Sequence, residues 1–305
     1  MDALNRLIQL ARPQASLELR CLLEGAFAID HDPVQEGIVS FHLVLDGSCM
    51  IETAHSKSLM LQAGDFVLFP KGGAHRIRNS GTTTTPALPI TLADDGLLPL
   101  RRNGNGEADV DLLCGRFTCV QGPAALLFGT LPDPLHISLA ESQPIAALHT
   151  LVTLMRSEAD RRQPGALAIV TALSQALFVM ALRTYGENQP EVPNVLALLS
   201  DSRLSASIQA LLATPGRQWT IADLGAQAAM SRATYARHFS AKAGVTVSEF
   251  LTQVRMSMAS DLLLQTKRSA GDIGMEVGYQ SEAAFGKAFR QSTGLTPGRY
   301  RQQRR

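Results

Sequence analysis

The sequence predicts an α+β chain of two domains. Residues 1–190 read as an N-terminal β-barrel with flanking helices, and residues 195–305 as an all-α domain. Three observations predict this. After Pro132-Asp133-Pro134 the apolar spacing changes from short strand-like runs to positions three and four apart. A two-helix pattern occurs twice between residues 220 and 294. Charge divides along the same line: residues 201–305 hold 14 Lys+Arg against 7 Asp+Glu, whereas residues 1–200 hold 14 against 20. A basic segment joined to an acidic one suits a nucleic-acid module attached to something else.

Taken in order, residues 1–20 carry Leu4, Leu7, Ile8 and Leu10 at helical spacing. Residues 37–45, 59–61, 65–69 and 111–119 are short apolar stretches separated by Gly, Asp, Asn and Pro, the texture of an antiparallel sandwich or barrel. Residues 82–106 read as loop. Residues 143–160 and 166–185 read as two amphipathic helices, the second apolar nearly all round and so suited to burial or a subunit interface. Residues 186–194 read as a linker. No apolar run approaches the ~20 residues of a membrane span. The opening Met1-Asp2-Ala3-Leu4 lacks the basic and apolar regions of a signal peptide. A cytoplasmic protein without a membrane partner is therefore expected.

The duplicated pattern is the strongest signal. Its first copy runs from Thr220 through Asp223 and Ser231 to Phe239 and Gly244; its second runs from Ser269 through Asp272 and Ser281 to Phe289 and Gly294. Each copy opens with a hydroxyl residue and an acid three positions later, which together cap a helix. Ser231 and Ser281 cap a second helix, with Phe eight and Gly thirteen residues on, the Gly suiting a left-handed stop. Two short helices joined by a tight turn make a helix-turn-helix, whose second helix enters the major groove.

Residues 201–303 resemble the AraC/XylS type of transcription regulator, most specifically in Gly278-Tyr279, Ser281-Glu282-Ala283-Ala284-Phe285, Phe289-Arg290, Thr293-Gly294, Pro297 and Tyr300-Arg301. The resemblance implies two units joined by a long helix, residues 247–265, anchored by Phe250 and Arg255. Departures are Val247 for the usual proline, Gly274 for the usual alanine, and Gly286 inside the second recognition helix. By the same resemblance the base-facing residues are Arg232, Ala233, Thr234, Ala236 and Arg237 in the first unit, and Glu282, Ala283, Ala284 and Lys287 in the second. Arg can bridge guanine O6 and N7, and alanine methyls can meet thymine methyls. Lys242 and Arg290 read as phosphate contacts. Promoter DNA and RNA polymerase are the implied macromolecular partners, with activation the implied effect and a homodimer an open possibility.

In the N-terminal half, Gly64, Pro70, Gly72, His75 and Asn79 resemble the second conserved motif of the cupin barrel. The first motif keeps only its end, Val44-Leu45-Asp46-Gly47; Ser40 stands where the metal-binding acid belongs, and its two histidines are missing. This argues for a sensor without a cofactor and against a cupin enzyme with a DNA-binding appendage. His75 is read as satisfied by a backbone carbonyl, with a replacement metal site of His31, His42 and His75 as the alternative.

Two signals compete. One is a small organic effector held in the barrel. The other is cysteine oxidation by reactive chlorine or oxygen species. The opening residues, Cys21, the Pro70–His75 turn and Cys114-Gly115 resemble the cupin-bearing regulators that respond to reactive chlorine. Cys21 follows Arg20, and a neighbouring cation favours the thiolate. Cys114 and Cys119 lie on opposite faces of a strand, so Cys21–Cys114 is the first choice of disulfide, expected to pin the N-terminal helix to the barrel. The remaining reading takes all four cysteines as small core residues.

Overall fold

The computed structural model describes residues 2–35, 37–54, 58–81, 88–94, 98–119, 123–139, 145–161, 163–189 and 192–303. The first part of the chain holds α1 (Ala3–Ala11), β1 (Gln14–Leu23), β2 (Ala28–His31), β3 (Ile38–Thr53), β4 (Leu59–Gln62), β5 (Asp65–Phe69), β6 (His75–Asn79), β7 (Thr91–Asp94), β8 (Pro99–Arg102) and β9 (Val110–Thr118). There follow α2 (Pro123–Phe128), β10 (Leu135–Ser138), α3 (Ile145–Arg161) and α4 (Ala166–Asn188). The remainder is helical: α5 (Val195–Ser200), α6 (Ser205–Ala213), α7 (Ile221–Gln227), α8 (Arg232–Ala243), α9 (Val247–Gln265), α10 (Ala270–Glu276), α11 (Glu282–Thr293) and α12 (Pro297–Gln303). Two compact units result. One takes residues 14–118 and 132–184; the other takes 1–13, 119–131 and 185–305. The sequence-based boundary treats the chain as two contiguous stretches, whereas packing places α1 and α2 with the C-terminal helices.

In the strand unit the main path runs β10-β5-β3-β9-β1-β8-β7, with β2, β4 and β6 joined to it through β3. β3 is 16 residues long and serves both halves of this curled sheet, pairing β5 and β9 at its start and β4 and β6 at its end. A register shift between Val44 and Asp46 lets it bend. Gly47, at φ 76°, follows directly, and a Cβ there would lie 1.8 Å from the Asp109 carbonyl oxygen. Only glycine fits that approach.

Side chains alternate across the sheet. One face gathers Cys21, Leu23, Ile29, Val44, Cys49, Ile51, Phe69, Ile77, Leu112 and Cys114 into a buried core. On the other, Phe41 packs on Phe66 and Phe117, and Phe117 packs on Phe178 of α4 with ring centroids 4.4 Å apart. There, too, Arg20 donates to Asp111 at 2.9 and 2.7 Å and to Asp160 of α3 at 2.5 Å.

Three local expectations are corrected. Helix in residues 1–20 ends at Ala11, where Arg12 turns left-handed at φ 44° ahead of Pro13, and strand begins at Gln14. Residues 82–106 are not all loop: β8 pairs in parallel with β1, and β7 pairs with β8. A four-residue strand at Pro99–Arg102 has no alternation to announce it, since its partner lies about eighty residues away in the chain; residues 82–87 and 95–97 lie outside the described residues. Length and composition also make α4 apolar enough to cross a membrane, contrary to the reading of short apolar runs. In this unit its Val170, Leu177, Phe178, Ala181 and Leu182 are buried against protein.

The helical unit follows its caps. Thr220 and Ser269 accept from the backbone N–H of Asp223 and Asp272, and Ser231 and Ser281 from that of Thr234 and Ala284. Gly244 and Gly294 close α8 and α11 at φ 72° and 74°. α9 joins the two helix-turn-helix motifs over the expected residues, started by the Thr246–Glu249 capping box. Phe250 packs on Phe239, and Arg255 donates to the carbonyls of Pro215 and Arg217, both at 2.9 Å.

Candidate nucleic-acid interface and thiol–imidazole cluster

Each two-helix unit is built on the same close approach. Gly225 and Gly274 stand five residues after their caps, Tyr235 and Phe285 four residues after theirs. A Cβ on Gly274 would come within 2.9 Å of the Phe285 Cβ, and one on Gly225 within 2.9 Å of the Met230 carbonyl. Tyr235, Phe239, Phe285 and Phe289 are fully buried. Burial of this stripe turns the opposite face of each second helix outward.

Arg232, Ala233 and Arg237 of α8 are exposed, and Thr234 and Ala236 half-buried. The Thr234 hydroxyl accepts from Ser231, so it contributes to the cap as well as to the surface. Lys242 is half-buried in the last turn. In α11, Glu282, Ala283, Ala284, Lys287 and Arg290 are all exposed. Glu282, Ala283, Lys287 and Arg290 line an open concavity of about 1050 Å³ with Gly286 and Pro297. Two helices thus present basic and small side chains on exposed faces, as groove reading requires.

Inside the curled sheet a different group assembles. His31 of β2, His42 of β3 and His75 of β6 come together, one ring nitrogen of each lying within 4.8 Å of the others. The His75 ring lies between Phe69, 3.7 Å away, and His31, 4.7 Å away, all three nearly parallel. Nδ1–H of His75 donates to the Gly73 carbonyl at 3.0 Å, so the carbonyl partner expected from the sequence is present. Its Nε2 lies 2.7 Å from Nε2 of His42, whose Nδ1 lies 3.1 Å from the Cys114 sulfur. Burial holds all three imidazoles below their ordinary range, His31 at about 4.

Cys114 in turn meets Cys21. In the β1–β9 ladder Cys21 is opposite Leu112 and Leu19 is opposite Cys114, so the two cysteines are diagonal neighbours on one face. Contact with the Cys114 thiol holds the Cys21 pKa below the usual cysteine value, against burial and with help from the positive charge of Arg101. The same contact and burial push Cys114 well above that value. Burial pushes Cys49 and Cys119 up to about 12.

Three parts of the cysteine reading are corrected. The cation at Cys21 is Arg101, opposite it on β8, and not Arg20, whose side chain leaves the strand on the other face for Asp111 and Asp160. Arg101 has Nη1 buried with no hydrogen-bond partner among the described residues. No local signal could have found it, because β8 joins β1 only in the folded sheet. Cys21 is also 1% exposed, whereas a redox-sensing thiol is expected to be accessible. Finally, it sits on β1, already paired to β9, so a Cys21–Cys114 bond would cross two neighbouring strands and would not pin the N-terminal helix.

Comparison with known proteins accounts for both halves. A family model described as Cupin matches residues 2–187, and one described as Helix-turn-helix domain matches residues 224–303. The chain is 34% identical over 301 residues to an uncharacterized HTH-type transcriptional regulator of Haemophilus influenzae, covering 99% of this chain and 98% of that one. It is 31% identical to the HTH-type transcriptional regulator MtrA of Neisseria gonorrhoeae, with 99% of each covered. It is 28% identical to the RCS-specific HTH-type transcriptional activator RclR of Escherichia coli, with 99% of this chain and 98% of that one covered.

Proposed function

Since the chain belongs to the AraC-type transcription regulators that carry an N-terminal cupin domain, DNA-binding proteins and not enzymes, we propose that it activates transcription when Cys21 is oxidised to a disulfide with Cys114. The observation that carries this reading is the diagonal placement of two free thiols on β1 and β9, with Arg101 opposite Cys21 on β8; that neighbourhood holds the Cys21 pKa below its usual value. A low-pKa thiol beside a resolving cysteine meets two of the three features of a redox-sensing thiol, the third being access to solvent. The relative named as an RCS-specific activator supports reactive chlorine as the oxidant.

Cys21 is 1% exposed, so the reading requires a small oxidant that enters by local opening of the sheet. The Cys21 sulfur takes chlorine from hypochlorous acid, forming a sulfenyl chloride and releasing hydroxide. Cys114 sulfur then displaces chloride and loses its proton, so that two thiols and one hypochlorous acid give one disulfide, chloride, a proton and water. The bond draws β1 and β9 together diagonally beneath the face that carries Arg20, Asp111 and α3. Outward-facing Leu154 of α3 and Leu167 and Ile169 of α4 are 41–42% exposed and form the surface for a second copy of the chain. A change there alters how paired DNA-binding units engage a promoter and RNA polymerase in the cytoplasm. Arg232, Ala233, Thr234, Ala236 and Arg237, with Glu282, Ala283, Ala284 and Lys287, read bases; Lys242 and Arg290 hold phosphates.

The test is the affinity of the reduced and the hypochlorite-treated protein for its own upstream DNA, with transcript output and free thiols measured alongside. Output should rise as two thiols disappear, and Cys21→Ser should abolish the response. Loss of two thiols with unchanged output would overturn the reading and turn attention to small organic effectors.

A further inference from the structure

We propose that His31, His42 and His75 bind one imidazole-seeking first-row transition metal ion, zinc(II) or copper(I), inside the cupin domain. The site is independent of the thiol reading and uses residues other than the missing first cupin motif. His31 and His75 are directly opposite in the β2–β6 ladder, and His42 enters from β3. His31 and His42 meet edge to face at 4.9 Å, as do His42 and His75. Three strands of one sheet thus deliver three ligand nitrogens to one point, without dependence on a loop.

The placement of the ring nitrogens makes the case. A carbonyl oxygen only accepts, so His75 must carry its proton on Nδ1 toward Gly73, leaving a lone pair on Nε2. His42 meets the Cys114 sulfur through Nδ1 at 3.1 Å, so Nε2 is the nitrogen it turns toward His75. The two Nε2 atoms stand 2.7 Å apart, so in the metal-free protein a proton on the His42 nitrogen bridges the pair, and an ion that binds takes that proton's place. An outer N–H held by a carbonyl or other acceptor is also how metal-binding histidines are oriented.

The donor set selects the ion. Three imidazole nitrogens suit zinc or copper, while magnesium and calcium need oxygen ligands. The nearest carboxylate to His31 on its own strand, Asp30, is already paired with Arg76 at 2.6 and 3.1 Å. Two nitrogens on one tetrahedral zinc stand about 3.3 Å apart, so His42 and His75 separate by roughly half an ångström on loading.

The experiment uses the full-length reduced protein, stripped with a chelator and titrated with zinc(II), and anaerobically with copper(I), against a chromophoric competitor. One ion per chain is expected, with no effect of magnesium. X-ray absorption of the loaded protein should show nitrogen neighbours at about 2.0 Å. Loss of an outer-shell partner costs 10–100-fold, so His31→Ala and His42→Ala should each weaken binding by more than about 100-fold. His31 is the gentler variant, being only partly buried on a short strand, and circular dichroism confirms that each variant folds. The double variant Cys21→Ser/Cys114→Ser should keep the ion, which separates this site from the redox reading. If neither ion binds, or if folded His31→Ala binds as tightly as the parent, the proposal fails and a proton bridges the two rings.

Discussion

Nδ1 of His42 lies 3.1 Å from the Cys114 sulfur. A single ring therefore joins the thiol pair of β1 and β9 to the imidazoles of β2 and β6, through a wall of the sheet that no stretch of sequence displays as continuous.

The thiols should differ sharply in reactivity. At pH 7 one equivalent of hypochlorous acid should consume Cys21 first, and peptide mapping should recover a Cys21–Cys114 disulfide. Cys49 and Cys119, pushed up to about 12 by burial, should remain thiols. A map showing Cys49 oxidised ahead of Cys21 would contradict the assignment. In an Arg101→Met variant Cys21 should react more slowly at neutral pH, because its acidifying charge is gone.

Arg20 is buried between Asp111 and Asp160, and Arg156 also reaches Asp111 at 3.1 Å. Removing one partner of a buried pair leaves an uncompensated charge and costs about 3–5 kcal/mol. Asp111→Ala should lower the urea midpoint of the cupin domain accordingly. A change below about 1 kcal/mol would mean that Asp160, which is more exposed, carries the ion pair alone.

Base reading by Arg237 predicts selective loss. Arg237→Ala should weaken binding to the operator by about 1–3 kcal/mol and scarcely change binding to random DNA. Equal losses on both would make Arg237 a phosphate contact. Arg290→Ala should behave in that second way, weakening all sequences alike and reducing the salt dependence.

The two departures from the family pattern in the second unit should have opposite consequences. Nothing lies within 4 Å of a Cβ on Gly286, so Gly286→Ala should stabilise the helical unit by about 0.5–1 kcal/mol through helix propensity. Gly274→Ala should destabilise it, because the new Cβ meets Phe285 at 2.9 Å. Thermal unfolding of both variants checks the pair. A stabilising Gly274→Ala would show that α10 and α11 can move apart without loss.

The sequence by itself determined the two helix-turn-helix units and the long helix between them. Thr220, Ser231, Ser269, Ser281, Gly244 and Gly294 act on backbone groups within four residues of themselves, so their pattern can be read along the chain. The second cupin motif was legible for the same reason, since Pro70, Gly72 and His75 shape one local turn. What only the tertiary structure decided depends on pairing between distant strands. β8 is a strand because β1 lies beside it, and that pairing brings Arg101 to Cys21. Arg20, the sequence neighbour, is carried to the opposite face by the alternation of the same strand. His31, His42 and His75 are 11 and 33 residues apart in the chain, and only the curl of the sheet makes them one cluster. Local hydrogen bonding writes itself into residue spacing, whereas register and curvature arise from contacts whose partners the spacing does not name.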